Sequence, residues 1–460
     1  MPSFKSSTMD TLVCPTDEIY TFIPDKFHPT ASSNKGLDTK SGDADSTTDK
    51  APLSSNSVSD LIQPLVYSRT QISTESRENL LYHIFLHSSL NKSNSGEITE
   101  TDIDVLLKCL KEQPFGTEGF FTFKSLVAIC ISYMEDYGSP IFSALSEFIK
   151  KNIKDVENVP ATIRSYLIIG YFTMFLALNE GSHVSGIEEE IGYWLSNLDE
   201  ASTNLTNDAE EAKVMVGIIN GIGILVSLVN DFVERNEVIE DLIPSLIFYL
   251  SDESPRISIP AGALVAQCYQ SYTFDDSHND EDGDADEDVP YFDNDEIIDI
   301  LAEKTKYSSK KISKEDKKQL HVAFRDMLKT VTNNVSQNAR DDFKISEESE
   351  PLLAEIYLTR PYSKLQIRMK DWGFISRLDH MRWAFGSGLG SAVLANDSEL
   401  LSMFRQKKTS SSSNAKFDVD DSISELPVKI KNLEVSTDQK KRDIAINKAR
   451  FKKTQSQNEY

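Results

Sequence analysis

The chain has 460 residues, a formal net charge of −25 and a hydrophobic fraction of 39%. This length suits two to four domains or one elongated repeat structure, and the slightly low hydrophobic fraction predicts some disordered segments. The four cysteines, Cys14, Cys109, Cys130 and Cys268, are scattered, which argues against a disulfide framework or a cysteine-based zinc site and indicates a reducing compartment.

Residues 1–60 are predicted to be a disordered, Ser/Thr-rich N-terminal region. They carry few apolar residues outside the stretch IYTFIP at 19–24. The first ten residues contain no apolar run of the kind that a secretory signal requires. We therefore expect the folded part of the chain to begin near residue 61.

Residues 61–272 are predicted to form a helical-repeat body of the armadillo type. Five stretches are ten or more residues long, apolar around much of the helix and bounded by polar residues, Pro or Gly: ESRENLLYHIFLHSSL, FFTFKSLVAICISYMED, TIRSYLIIGYFTMFLALNE, EEAKVMVGIINGIGILVSLVNDFVE and DLIPSLIFYL. A single helix pair cannot bury such faces, whereas stacked pairs can. No clear sequence period accompanies them, so the fold class, an all-α solenoid of the armadillo or HEAT kind, follows from the succession of helices.

Two of these stretches also require a test as membrane spans. Tyr166 to Leu178 is too short to cross a bilayer at about 1.5 Å per residue. Val214 to Val229 is longer, but Asn220 interrupts it and three glycines lie along one side. A buried helix packed closely against its neighbours is the better interpretation, and we expect no membrane association.

Residues 273–292 are predicted to be an acidic, disordered insertion. From 275 to 299 the chain carries thirteen carboxylates and no Lys or Arg. A calcium-binding EF-hand loop is the competing interpretation. With Gly283 at the sixth loop position, His278 stands at the first and Val289 at the twelfth, where the template needs Asp and Glu. The template therefore fails at both ends.

Residues 293–408 are predicted to be a C-terminal helical region, and 409–460 a Ser-rich linker and basic tail. A lysine-rich run precedes one helix that carries Phe324 and Met327. A second helix is expected over residues 364–385, because apolar residues recur there at spacings of three and four: Leu365, Met369, Trp372, Ile375, Leu378, Met381 and Phe385. Residues 1–300 hold 18 Lys+Arg and 51 Asp+Glu, a net of −33, whereas residues 301–460 hold 30 and 22, a net of +8.

Patterns for catalysis are weak throughout the chain. His83 and His87 share a helix face, but Ile84 stands where a zinc protease has Glu. The stretch GSGLGS at 386–391 fails as a dinucleotide loop because its last position is Ser391, the residues before it read as a helix, and no Walker lysine follows. These patterns predict no catalytic residue, no metal site, no cofactor and no small-molecule substrate, although folding can still bring together a carboxylate pair that the sequence does not reveal.

The C-terminal half resembles the interferon-related developmental regulator family in four ordered blocks. They are LSDESPRISIPAGALVAQCYQ (250–270), KKISKEDKKQLHVAFRDMLKTV (310–331), MKDWGFISRLDHMRWAFGSGLGSAVLANDSELLSMF (369–404) and the basic end NKARFKKTQSQNEY. The matching residues, taken as structural, are Arg256, Ala261, Gly262, Phe324, Arg325, Asp326, Trp372, Gly386, Gly388, Asn396, Glu399 and Phe404. Ala263 departs from the family, which usually has Glu there.

The resemblance implies an armadillo-like regulator without enzymatic activity. Such a regulator binds ribosomes, with its C-terminal region in the RNA path, or co-regulates gene expression. The charge split is compatible with the first role, since basic segments neutralise phosphates. The expected RNA or ribosome contacts are Lys310, Lys311, Lys314, Lys317, Lys318, Lys440, Lys441, Arg442, Lys448, Arg450, Lys452 and Lys453. We expect a monomer in the cytoplasm, with the nucleus as a second compartment, that also binds proteins through its helical body. The alternative is a nuclear transcriptional co-regulator scaffold.

Overall fold

The structure is a computed structural model, and it describes residues 57–89, 98–205, 208–274, 289–306, 314–346, 351–359, 363–389 and 423–427. The first helices along the chain are α1 (Val58–Ile62), α2 (Thr74–Ser88), α3 (Glu100–Glu112), α4 (Gly116–Ser132), α5 (Ser139–Asn152), α6 (Ala161–Asn179) and α7 (Ile187–Asn204). They are followed by α8 (Glu211–Leu228), α9 (Phe232–Ser251), α10 (Pro255–Ser271), α11 (Asn294–Lys304), α12 (Lys314–Thr332), α13 (Gln337–Ile345) and α14 (Trp372–Phe385).

Two layers of helices stack along the body. The inner layer contains α4, α6, α8, α10 and α12, each packed against the next, and the outer layer contains α5, α7, α9 and α11. Equivalent inner positions recur at a regular separation. Arg164 pairs with Glu211, 47 residues later, and Gln267 donates to the Gly223 carbonyl, 44 residues earlier. A repeat of this length built from helix pairs is typical of HEAT and armadillo solenoids. The predicted all-α solenoid is therefore confirmed.

Helices α4, α6 and α8 of the inner layer are buried around nearly their whole circumference because neighbours cover them on several sides. Among the described residues, α6 and α8 are long and apolar enough to cross a membrane, yet 78% and 83% of their apolar windows are buried inside the protein. Gly221 of α8 shows why the glycines are there: a Cβ at this position would lie 1.9 Å from the Phe172 ring. The interpretation of both stretches as core helices agrees with this packing.

The boundary between α8 and α9 differs from the prediction. The stretch from 210 to 234 was expected to be one helix, but α8 ends at Leu228 and α9 begins at Phe232. Asp231 produces the break, since its carboxylate accepts from the backbone N–H groups of Val233 and Glu234 at 2.9 and 3.1 Å. An N-cap of this kind satisfies donors that have no partner within the helix.

A small antiparallel sheet follows the helical body. Strand β1 (Ala354–Thr359) pairs with β2 (Ser363–Met369), and β2 also pairs with β3 (Ile423–Pro427). The helix expected over 364–385 is therefore wrong for its first eight residues, six of which belong to β2, and α14 begins only at Trp372. The reason is visible in the sequence SKLQIRM, where apolar and polar residues alternate with the period of two that suits a strand.

Candidate functional site

The predicted basic contact residues lie only partly within the described chain. Lys318 is exposed near the start of α12, and Lys314 and Lys317 belong to the same helix. The remaining contact residues fall outside the described residues, together with three of the family-motif residues: Lys310, Lys311, Lys440, Lys441, Arg442, Lys448, Arg450, Lys452 and Lys453, and Asn396, Glu399 and Phe404. Their role stays a prediction.

The described C-terminal end of the solenoid nevertheless carries positive charge. Helix α12 contains five Lys or Arg and three Asp or Glu. Arg325 is 68% exposed, and Lys344 of α13 is 62% exposed beside Asp341. Because α12 is the last helix of the inner layer, this excess lies at one end of the solenoid and not along its length.

Three of the four outer helices have the opposite charge, and α5 is the exception, with Glu147 against Lys150 and Lys151. Helix α7 holds five carboxylates and no Lys or Arg, α9 holds four carboxylates and Arg235, and α11 holds four carboxylates and Lys304. Many lie in first turns, where the helix dipole favours a negative side chain. That explains part of the pattern locally, but the sum is a strongly acidic face formed by successive outer helices.

Helix α14 crosses the inner layer and is fastened to helices far apart in sequence. Its Trp372 indole donates to the Thr330 hydroxyl at the end of α12, at 3.0 Å. The Arg377 guanidinium pairs with Glu180 beyond α6 at 2.8 Å and donates to the Ser227 carbonyl at the end of α8 at 2.9 Å. Helix α14 therefore holds together the carboxyl ends of three inner helices.

Several family-motif residues of the described chain lie at packed positions. Phe324 and Ala261 are buried in the core, and a Cβ on Gly262 would lie 2.8 Å from the Met327 sulfur. This close approach joins α10 to α12. Arg256 is exposed in the first turn of α10, and Arg325 contacts Asp326 at the surface of α12.

The glycines after α14 form a helix end and a close contact. Gly386 has a φ of +52°, a left-handed conformation that an L side chain rarely adopts, and it ends the helix. Gly388 packs so tightly that an added Cβ would lie 2.4 Å from the Ser89 carbonyl oxygen after α2. The structure thus agrees with the interpretation of this stretch as a helix break and packing point.

A buried lysine lies where α14 meets α2 and α4. The Lys124 ammonium lies 4.6, 5.5 and 5.0 Å from the ring centroids of Phe85, Phe120 and Trp383. Burial lowers the pKa of this ammonium to about 7, because the charged form loses its hydration. The ring faces offset part of that loss by their attraction for a cation. No sequence pattern pointed to this cluster, since its members are far apart in the chain.

The described residues do not assemble a recognisable catalytic centre. No group of three or more His, Cys, Asp or Glu in them is placed to hold a metal ion. His83 has a pKa below its usual range, mainly because it is half-buried and secondly because His87 is near. A cavity between α6, α7 and α8 has a volume of about 10 Å³, enough for one water molecule and too small for a substrate.

Comparison with protein-family models gives a match over most of the described body. A model described as Interferon-related developmental regulator (IFRD) aligns with residues 29–332, which is 304 of the 460 residues. The aligned range contains the blocks at 250–270 and 310–331, and also 60–250, where the resemblance rested on helices alone. The blocks at 369–404 and the basic end lie outside it. No curated protein matches the sequence.

Proposed function

Because the chain belongs to the interferon-related developmental regulator family, we propose that it is a non-catalytic regulator of translation that binds ribosomal RNA through its basic C-terminal segments. The observation that carries this proposal is the separation of charge in the molecule. The outer helices α7, α9 and α11 are acidic, whereas the end of the solenoid at α12 and the tail are basic.

A charge distribution of this kind orients the protein on a polyanion. Phosphates are repelled by the carboxylates of α7, α9 and α11 and attracted by the lysines of α12. The seven basic residues between 440 and 453 stand beside a single acid, Asp443. Since few aromatic residues accompany them, recognition rests on charge and shape and does not read bases.

The alternative, a nuclear scaffold that binds proteins through the inner surface of the solenoid, has less support. Helix α14 already lies across α6, α8 and α10, and its side chains Leu378, Met381 and Phe385 are buried. A partner peptide would have to displace a helix that belongs to the core. We therefore propose that protein partners bind the outer layer. We also propose that the protein acts as a monomer in the cytoplasm.

The decisive experiment is sedimentation of the full chain with purified ribosomes across a salt series. A variant in which five tail lysines are replaced by Gln (Lys440, Lys441, Lys448, Lys452 and Lys453) should make the negative slope of log K against log salt shallower by about 3.5, because each single-strand phosphate contact contributes about 0.7 to its magnitude. The matched control replaces five lysines of the N-terminal region, Lys5, Lys26, Lys35, Lys40 and Lys50, and should leave the slope unchanged.

Two results would contradict the proposal. One is a full chain that stays at the top of the gradient at low salt. The other is an equal loss of binding in the tail variant and the N-terminal control, which would mean that net charge alone matters.

A further inference from the structure

The outward side of α9 is a stripe of apolar and acidic side chains that the described residues leave uncovered. Counting about 100° per residue, six exposed residues fall within about 100° of the helix circumference. They are Val233, Glu237, Glu240, Asp241, Pro244 and Phe248. Val233 is 50% exposed and Phe248 is 67% exposed. We call this set the α9 stripe. Isolated exposed apolar residues are common on proteins, but here three share one side of one helix with acids between them.

The acids of the α9 stripe have little positive charge to compensate them. Tyr272 donates to Glu240 at 2.8 Å, but within the described ranges no Lys or Arg lies within ion-pair distance of Glu237 or Asp241. These two residues are four apart on the helix, and such a like-charge pair is destabilising by a few tenths of a kcal/mol. Helices α7 and α11 on either side add further carboxylates. A partner for this surface must therefore supply both cations and apolar groups.

The chain contains one segment with that chemistry, residues 440–453. Arranged as a helix, Lys441, Lys448 and Lys452 would share one side, and Ile444 and Phe451 would lie next to it. The α9 stripe spans sixteen residues, about 24 Å at 1.5 Å per residue, and a fourteen-residue helix is about 21 Å long. Charge, apolar content and length therefore correspond.

The tail also starts close enough to reach the stripe. The Lys370 carbonyl, just after β2, accepts from the Gln270 side chain at 3.1 Å, at the carboxyl end of α10. The Asn236 side chain, near the start of α9, donates to the Thr273 carbonyl at the same end of α10, at 2.7 Å. Strand β3 pairs with β2 so that its last residue, Pro427, faces Ser363, about 23 Å along β2 from Lys370 at about 3.3 Å per residue. Twelve residues lie between Pro427 and Lys440, which makes thirteen Cα–Cα steps. Such a segment spans up to about 43 Å when extended.

We propose that the basic segment 440–453 docks in cis on the α9 stripe, with its lysines against Glu237 and Asp241 and its apolar residues against Val233, Pro244 and Phe248. The docked tail cannot use the same lysines for phosphates. Release of the tail by a polyanion is the part of this inference that rests on the proposed function; the docking itself does not.

The test uses the full chain with the photo-cross-linking residue benzoylphenylalanine in place of Phe451, an aromatic replacement for an aromatic. Irradiation in about 0.05 M salt should give intramolecular cross-links to residues 233–248, located by mass spectrometry. The yield should fall several-fold in about 0.5 M salt, because screening shortens the reach of exposed charges. Cross-links that map elsewhere, or none, overturn the proposal.

A matched pair of surface variants separates the α9 stripe from general charge. Glu237→Gln, Asp241→Asn and Phe248→Ser together should lower the cross-link yield at least fivefold. The control makes the same kinds of change at exposed positions elsewhere, Glu100→Gln, Asp104→Asn and Val66→Ser. It should leave the yield unchanged, and an equal loss in both variants overturns the assignment to α9.

Two further arms identify the occupant and the competitor. A mixture of ¹⁵N-labelled and unlabelled chains should give cross-links of one label only; mixed pairs would mean that a second copy, not the chain's own tail, occupies the stripe. A twenty-residue oligouridylate should lower the yield if RNA and α9 compete for the tail. If cross-linking persists but RNA does not bind, the proposed function is contradicted and the docking is not. If RNA binds but no cross-link forms, the docking is contradicted and the proposed function is not.

Discussion

Helices α9 and α14 show how differently one chain builds its two surfaces. Helix α9 turns Val233, Pro244 and Phe248 outward beside its acids, whereas α14 buries Trp372, Leu378 and Trp383 across the inner layer. A substitution in α14 removes packing that several helices share, and a substitution on the outward side of α9 removes little that the fold depends on. The comparison predicts that stability and binding can be altered separately, and each experiment below tests one side of it.

Trp383→Ala should give the largest loss of stability. Trp383 is fully buried and packs against Phe123, 6.1 Å between ring centroids, and over Lys124. Removing a buried aromatic side chain costs about 3–5 kcal/mol in unfolding free energy. Phe248→Ala on α9 is the matched aromatic control and should cost under about 1 kcal/mol, since its ring is mostly exposed. Urea unfolding measures both, and similar losses would remove the contrast between the helices.

Arg377→Ala should give the second largest loss of stability, about 3 kcal/mol in unfolding free energy. It leaves the nearly buried Glu180 carboxylate without its cation and removes the donor to the Ser227 carbonyl. Arg382 lies on the same helix but is 52% exposed and contacts Asp379 at 3.5 Å, so Arg382→Ala should cost under about 1 kcal/mol. If the Arg377 variant unfolds at the same urea concentration as the Arg382 variant, α14 does not bind the inner helices in the way described.

Gly388→Ala should destabilise by about 2 kcal/mol. The new Cβ would meet the Ser89 backbone, so that either α14 or the end of α2 must shift. Gly192 of α7, in the outer layer, is the control, because nothing lies within 4 Å of a Cβ there. Gly192→Ala should stabilise by about 0.5–1 kcal/mol, since Ala is the better helix former. If Gly388→Ala and Gly192→Ala shift the melting temperature in the same direction, the expected difference between the two positions is contradicted.

The helices of the body could be predicted from sequence, whereas the position of α14 could not. Apolar residues around the whole circumference predict helices α4, α6 and α8. The alternation of apolar and polar residues in SKLQIRM, with a period of two, predicts strand β2. Asp231 was a visible N-cap signal between α8 and α9. Contacts such as that of Arg377 with Glu180, 197 residues apart, leave no local pattern. For the same reason the ring cluster around Lys124 was not foreseen.

Lys124→Met should change how stability depends on pH. In the folded protein the pKa of Lys124 is lowered to about 7 from 10.5, so between these values the unfolded chain binds the proton that the folded chain has released. Unfolding free energy should therefore rise as pH increases from 7 to 10. Below pH 7 the buried ammonium is charged in the folded protein and destabilises it to the full extent. We expect Lys124→Met to raise the unfolding free energy by about 1–2 kcal/mol at pH 6.5, and by little at pH 10. The gain at pH 6.5 is smaller than the pKa alone suggests, because the rings attract the cation in the unchanged protein. Chemical unfolding at both pH values measures this, and an equal gain at both would show that the ammonium is not the cause.

The smallest effect should come from the α9 stripe itself. Replacing Glu237 with Gln and Asp241 with Asn relieves repulsion between like charges four residues apart and should change unfolding free energy by under about 0.5 kcal/mol. Performed in about 0.5 M salt, where the docked tail contributes least, the measurement isolates the helix from its proposed occupant. A loss above about 1 kcal/mol would mean that these carboxylates hold the outer layer together. Glu237 and Asp241 would then stabilise the fold, as Arg377 does, and stability and binding could not be altered separately on these two helices.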